Sequence, residues 1–211
     1  SEKNLLAQYE KKCENRKSLA SSHNWLPETR EILKELCKNF DAAKGDNGAY
    51  FLAMESAFLD YCAGDMAKAE ERYRSIITSD KWQSRWYPYF RLGEICLALE
   101  KVEDALVAFD QCEEHMTERE AGTELNQYLA KDHYLAKIGL AYSYWSLGKE
   151  FLPTVIDKME EAKSEITAYL EQDSLAEEEK DEKIGLKFSV ANNLCYYYLE
   201  LWIDTPDSSE V

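Results

Sequence analysis

The chain holds few side chains in the arrangements that chemistry usually needs. Its three histidines, His23, His115 and His133, are far apart in sequence, and none of the six cysteines belongs to a CxxC pair. Zinc sites need Cys and His ligands at short spacings, so no metal site is predicted. The chain also lacks an HExxH helix, a glycine-rich phosphate loop and a Ser-His-Asp grouping. We therefore expect no catalytic residue, no cofactor and no enzyme activity.

One pair of residues resembles a catalytic motif. Arg16 and His23 are separated by six residues, a spacing that resembles the Arg-x-His motif of helical HEPN-type ribonucleases. The resemblance implies RNA cleavage, but the charge of the chain opposes RNA binding. Affinity for nucleic acid comes from Lys and Arg that replace phosphate counterions, whereas here 25 basic residues face 41 acidic ones. A ribonuclease is therefore kept only as the last of three hypotheses.

Composition favours an all-helical protein with protein partners. Glycine (8) and proline (4) are scarce, and no apolar run approaches the length of a membrane span. The net charge of −16 argues against nucleic acid as a ligand and would steer a basic peptide or protein; alternatively, it only maintains solubility. Several cysteines lie at apolar helix positions, where a thiol behaves as a small hydrophobe. We expect buried, reduced thiols in a cytoplasmic protein.

The elements that position these residues are organised around the stretch 82–117, which reads as two amphipathic helices joined by a tight turn. Its key apolar and small positions are Tyr89, Leu92, Gly93, Ala105 and Phe109. Small residues at Gly93 and Ala105 would let the helices approach closely, while Leu92 and Phe109 fill the seam. This pattern resembles one unit of the tetratricopeptide repeat. It departs from the repeat at Cys96, Cys112 and Thr117, where the family has an aromatic residue, an alanine and a proline.

The pattern recurs 36 residues earlier, close to the period of roughly 34 in that family. In the earlier copy the matching positions are Ala57, Gly64, Ala69, Tyr73 and Ile76; in the later one they are Gly93, Glu100, Ala105, Phe109 and Cys112. Gly64 is expected to end the first helix of the earlier unit. Asp65 is expected to cap the second.

The rest of the chain is divided around these two units, which cover 49–117. Residues 1–44 are predicted to form an N-terminal helical hairpin, ended by a stop at 45–48. An irregular third unit covers 123–172, with a helix from about 124 to 147 and a partner that starts near Pro153. A C-terminal capping helix covers 177–203. The predicted fold is all-α: a single domain, 1–211, built as a right-handed solenoid of antiparallel helical hairpins, tetratricopeptide-like, with about eight or nine helices.

The resemblance implies a concave groove lined by the first helix of each unit. The groove positions in the first unit are Phe51, Met54, Phe58 and Tyr61; in the second they are Tyr87, Phe90, Glu94 and Leu97; in the third they are Leu135, Ile138, Tyr142 and Trp145. Most are apolar or aromatic, as is typical of interaction sites. Some members of the family bind a terminal carboxylate here, but Met54 and Phe58 stand where a basic residue and an asparagine would be needed.

We therefore expect a scaffold or adaptor that binds a protein or peptide, an apolar or amphipathic helix with a basic character. The alternative is that the C-terminal helix 184–203 or a second copy fills the groove. In that case the chain is a self-associating homo-oligomer, or an intramolecular regulatory segment of a larger protein.

Overall fold

The computed structural model describes residues 27–29, 31–33, 35, 46–120, 133–171 and 177–204. Within these residues every regular element is helical and there is no strand, which confirms the all-α prediction. The elements are α1 (Asp46–Cys62), α2 (Met66–Ile77), α3 (Trp86–Ala98), α4 (Val102–Glu120), α5 (His133–Leu147), a 3₁₀ helix (Lys149–Phe151), α6 (Leu152–Leu170) and α7 (Glu177–Asp204).

The chain divides into two compact units, Ser1–Pro88 and Tyr89–Val211. The first unit contains α1, α2 and the first residues of α3. The second contains the rest of α3 together with α4 to α7. The expectation of one domain over 1–211, with its subdivision into repeats, stays a prediction.

The α1–α2 hairpin turns as the sequence predicts. Gly64 adopts a positive φ of 78°, a conformation that is easy only for glycine. The side chain of Asp65 accepts a hydrogen bond from the backbone N–H of Lys68, at 3.3 Å, and so caps α2. Along α2, Ala69, Tyr73 and Ile76 are all buried and face the core of the hairpin. The predicted helix stop and N-cap are therefore confirmed.

The α3–α4 turn repeats the α1–α2 turn at an offset of 36 residues, bond for bond. In the first turn the N–H groups of Gly64 and Asp65 donate to the carbonyls of Tyr61 and Asp60. In the second, the N–H groups of Glu100 and Lys101 donate to the carbonyls of Leu97 and Cys96. Glu100 takes the same left-handed conformation as Gly64, with φ 60°. The recurrence predicted from side-chain types is thus confirmed in the backbone.

Two helix ends differ from the bounds of the predicted units. A stop was expected at 45–48, but α1 begins at Asp46 and runs through Gly48, since Asp and Asn are well suited to the first turn of a helix. The second unit was expected to end at Thr117, whereas α4 continues to Glu120. Thr117 stands where the repeat family has its terminating proline, and a threonine leaves the helix free to continue.

The second unit is held together by contacts between consecutive helices. Phe109 of α4 inserts its ring between α3 and α5, where a Cβ at Gly93 would come within 2.6 Å of it and one at Gly139 within 2.5 Å. Its ring centroid is 6.0 Å from that of Phe90 on α3. The predicted seam between Gly93 and Phe109 is confirmed. Gly139 is a second close approach that sequence reasoning did not identify.

A further core joins α5, α6 and α7. Its buried members are Tyr134 and Ala141 on α5, Leu152, Val155, Ile156, Met159, Ala162 and Ile166 on α6, and Val190, Leu194 and Tyr197 on α7. The predicted partner helix near Pro153 is confirmed as α6, with proline in its first turn. The C-terminal helix is confirmed as α7.

Some predicted segments lie outside the described residues. Most of the N-terminal hairpin 1–44 is among them, although 27–29, 31–33 and 35 are helical. The helix expected from about 124 is described from His133 onward and ends at Leu147, as predicted.

Candidate interaction surfaces

The predicted groove positions on α1 differ in burial. Met54 is a core residue with only 6% of its surface exposed. Phe51, Phe58 and Tyr61 are partly exposed, and the rings of Phe58 and Tyr61 stack with centroids 6.2 Å apart. Aromatic rings that are neither fully buried nor isolated provide apolar contact area to a partner at low entropic cost. α1 therefore presents three of its four predicted residues.

The predicted positions on α3 also divide. Tyr87 is exposed, while Phe90 is 7% exposed and packs beside Phe109. Glu94 is partly exposed and pairs with Arg91 of the same helix at 2.7 Å. Leu97 is partly buried. On this helix Tyr87 is the aromatic residue that remains accessible.

The predicted positions on α5 are in contact with α7. Leu135, Ile138 and Trp145 pack against the core that α5 shares with α6 and α7. The ring of Trp145 lies 5.0 Å from that of Tyr197 and 5.8 Å from that of Tyr196 on α7.

Tyr142 remains 40% exposed, but its hydroxyl accepts a hydrogen bond of 2.9 Å from the side-chain amide of Asn193 on α7. At the other end of α5, the ammonium of Lys183 on α7 donates to the hydroxyl of Tyr134. The C-terminal helix thus lies along the row of α5 residues that sequence reasoning assigned to the groove.

Most of the exposed large apolar side chains in the described residues belong to α7, a helix that the sequence analysis treated as a cap. One stripe of this helix, which we call the α7 seam, is formed by Ile184, Phe188, Ala191, Cys195, Tyr198 and Trp202. Phe188 is 73% exposed and Trp202 is 74% exposed. The signal was present in the sequence as alternating steps of four and three residues, the spacing of a coiled-coil seam. It was masked because a second apolar stripe on the same helix forms the core.

A depression of about 360 Å³ lies on α6. It is lined by Glu160, Lys163, Ser164, Thr167, Ala168 and Glu171. Tyr198 of the α7 seam reaches this region, where its hydroxyl donates to Glu160 at 3.4 Å. Burial, followed by the negative charge of Glu160, raises the pKa of Tyr198. The depression therefore extends the seam sideways with small, polar and charged residues.

Titratable side chains cluster around Lys137 of α5. Its ammonium lies 2.7 Å from Glu113 on α4, and 2.9 Å and 3.5 Å from Glu161 and Glu165 on α6. Burial by itself would lower the pKa of Lys137, but the bonds to Glu113 and Glu161 outweigh it and raise the pKa. The pKa of Glu161 is lowered, because its bond to Lys137 outweighs the effect of burial.

The Lys137 cluster is composed of ion pairs that link three helices. Lys158 of α6 adds contacts of 3.5 Å to Glu113 and 3.4 Å to Glu161. Every carboxylate in the cluster therefore faces a cation, and the arrangement serves to hold α4, α5 and α6 together.

The described thiols are reduced and mostly inaccessible. Cys96 and Cys112 are buried, Cys62 is partly buried and Cys195 is exposed. Burial, reinforced by the Glu113 carboxylate, raises the pKa of Cys112 to about 12. That thiol stays protonated at neutral pH and acts as a small apolar side chain.

Comparison of the chain with protein-family models, with curated proteins and with solved structures finds no match. The resemblance to the tetratricopeptide repeat therefore stays a prediction, supported by the 36-residue recurrence of the hairpin turn. Arg16 and His23, the pair that resembles a ribonuclease motif, lie outside the described residues. None of the described helices combines the length and the apolar character needed to cross a lipid bilayer.

Proposed function

We propose that this protein is a non-catalytic interaction module whose tetratricopeptide-like hairpins follow one another in a right-handed solenoid. The proposed binding face consists of partly exposed aromatic side chains on α1 and at the start of α3. Its members are Phe51, Phe58, Tyr61 and Tyr87. The single observation that carries the proposal is the stacked, partly exposed pair of Phe58 and Tyr61, because aromatic residues dominate the binding energy of protein interfaces.

The proposed ligand is an amphipathic helix or apolar peptide with basic flanks. Apolar residues of the ligand would pack on the aromatic rings, and the net charge of −16 would accelerate the encounter with a positively charged partner. Reduced thiols at Cys62, Cys96, Cys112 and Cys195 support a reducing compartment such as the cytoplasm.

Trp145 is left out of the proposed binding face. Its contacts with Tyr196 and Tyr197 on α7 give it a role in packing. Trp145→Glu would therefore lower stability by about 2–4 kcal/mol as a core substitution. Phe58→Glu would leave the helices intact.

The proposal is tested by affinity capture with three full-length baits: wild type, Phe58→Glu and Val107→Glu. Val107 is the matched control, because it is an apolar residue that is 58% exposed on α4, outside the proposed face. We expect partners that wild type and Val107→Glu retain but Phe58→Glu loses. Far-UV circular dichroism checks that each bait is folded.

Two results would reject the proposal. One is a folded Phe58→Glu variant that retains every partner of wild type. The other is a loss of helicity in that variant, which would make Phe58 a core residue.

A further inference from the structure

The α7 helix carries two separate apolar stripes. One contains Val190, Leu194 and Tyr197 and is buried against α5 and α6. The other is the α7 seam, on which Phe188 and Trp202 remain about three-quarters exposed. An ordinary surface helix needs only one apolar stripe. The second is an unexplained exposed apolar surface, and such surfaces mark interaction sites.

The α7 seam has the spacing of a helix that pairs with another helix. Its residues follow one another at intervals of four, three, four, three and four positions from Ile184 to Trp202. That alternation keeps one face of a helix directed at a partner helix over successive turns. At 1.5 Å per residue the seam is roughly 27 Å long, so the partner that fits it is a helix of at least about 18 residues.

The seam is also symmetric. The pairs 184/202, 188/198 and 191/195 are each centred on residue 193. In two antiparallel copies of α7 that cross at this point, Ile184 would lie opposite Trp202 of the other copy, and Phe188 opposite Tyr198. At the crossing the small residues Ala191 and Cys195 would face each other. A twofold interface requires a patch that is complementary to itself, and the α7 seam meets that requirement.

Charge favours a second copy over a basic partner at this site. Between Ile184 and Trp202 the charged residues are Lys187 and Glu200, which cancel and lie off the seam. This stretch is thus neutral within a chain of net charge −16. The seam residues themselves carry no carboxylate, and Glu160 of α6, which contacts Tyr198, is paired with Lys163 at 3.0 Å. Two copies therefore meet there without strong local repulsion.

The exposed area is sufficient for a weak, specific dimer. Large aromatic side chains bury on the order of 150–250 Å² each. With Leu199 and Ile203 beside the seam also exposed, a symmetric contact would bury on the order of 1,000 Å² in total, the lower limit of specific interfaces. The depression along α6 next to Tyr198 adds room for side chains of the second copy.

From this geometry we propose that the protein forms a homodimer through antiparallel pairing of its α7 seams. This surface is distinct from the aromatic face of α1, and the proposal does not rest on the proposed function.

The dimer is tested by light scattering on the full chain across a concentration series. Wild type should rise from 24.5 kDa toward twice that mass, whereas Phe188→Glu and Trp202→Glu should stay monomeric. Val107→Glu and Phe58→Glu should dimerise like wild type. A wild-type chain that is monomeric at all concentrations, or a dimer that Phe188→Glu leaves intact in a folded chain, would overturn the proposal; so would a seam that binds only a different polypeptide.

The orientation is tested by disulfide trapping. Ala191→Cys would place its thiol opposite Cys195 of the second copy, so oxidation should yield a covalent dimer on a non-reducing gel. Ala191→Cys combined with Cys195→Ser should not, and wild type gives the background from the other cysteines. If the double variant is trapped as efficiently as the single one, the helices are parallel and the proposed pairing is wrong.

Discussion

At the scale of single residues, the ring of Phe109 is tightly packed between Gly93 and Gly139. A β-carbon at either glycine would lie within 2.6 Å of the ring. Side chains in protein cores already fill their space, so an added methyl group must displace a neighbour. The ring is held on both sides, by α3 and by α5, and cannot move away from one glycine without approaching the other.

We therefore expect Gly93→Ala and Gly139→Ala each to lower the free energy of unfolding by about 1–3 kcal/mol. Gly185→Ala is the control, because nothing lies within 4 Å of its added carbon; it should raise stability by about 0.5–1 kcal/mol through helix propensity. Urea unfolding measures all three. Combining Gly93→Ala with Phe109→Leu should lower the free energy of unfolding by less than the sum of the two single changes. Strict additivity would contradict the close contact between Gly93 and the Phe109 ring.

The Lys137 cluster predicts how stability depends on pH. The pKa of Glu161 is lower in the fold than its ordinary 4.5, so its contribution is present above that pH and is lost as pH falls through the folded value. The pKa of Lys137 is raised above 10.5, so its contribution is present below that pH and is lost at higher alkalinity.

Lys137→Met should lower stability at neutral pH by about 2 kcal/mol, because three carboxylates would lose their shared cation. The difference from wild type should shrink as the pH falls through the lowered pKa that Glu161 has in the fold. Lys149→Met is a suitable control: its ammonium is 2.9 Å from Glu200 but the side chain is 58% exposed, so we expect a loss below about 1 kcal/mol. A difference that does not change with pH would show that the cluster acts by packing alone.

At the scale of elements, the two hairpin turns use the same backbone with different residues. Gly64 and Glu100 both have positive φ. For glutamate this conformation costs roughly 1–2 kcal/mol, a strain that the α3–α4 hairpin must offset by its packing.

Substitutions at the positive-φ residue of each turn are expected to change stability in opposite directions. Glu100→Gly should stabilise the protein by about 1 kcal/mol, since it removes the strained conformation. Gly64→Ala should destabilise it by a similar amount, although nothing lies within 4 Å of the added carbon. Thermal or urea unfolding of the two variants measures this, and equal signs would mean that the turns are not equivalent.

The elements could be predicted well from sequence wherever side-chain periodicity was unambiguous. The Asp65 cap, the end of α5 at Leu147 and the start of α6 near Pro153 all follow from local chemistry. The start of α1 at Asp46 did not, because Asp and Asn serve turns and first helical turns equally well. Helix α4 continues past Thr117 because the proline that would end it in the repeat family is absent.

The candidate surfaces were harder to predict than the helices. Met54 and Phe90 share the apolar character of their neighbours, so sequence gave no reason to separate them from Phe58 and Tyr87. Only packing shows that the first two are buried. Likewise, Trp145 is engaged by α7 through contacts between residues about fifty positions apart. Apolar periodicity identifies a face of a helix but cannot say which neighbour covers it.

At the scale of the whole molecule, charge opposes association while the α7 seam favours it. Each copy carries −16, so two copies repel at long range and the repulsion is screened by salt. The proposed dimer should therefore tighten as salt rises from about 50 mM to 500 mM, by roughly threefold or more. Capture of a basic peptide on the α1 face should weaken over the same range. Sedimentation at several salt concentrations tests the expectation for the dimer. A dimer that dissociates with added salt would contradict that expectation.

Labelling of the Cys195 thiol can also measure whether the chain is monomeric or dimeric. Cys195 is the exposed thiol among the described cysteines, and it sits at the midpoint where two copies would cross. With Cys13, Cys37 and Cys62 changed to serine, the rate of alkylation by a fluorogenic maleimide reports on how often that midpoint is covered. Dilution should speed the labelling and a higher protein concentration should slow it, so the labelling rate of Cys195 reports the fraction of the chain that is dimeric.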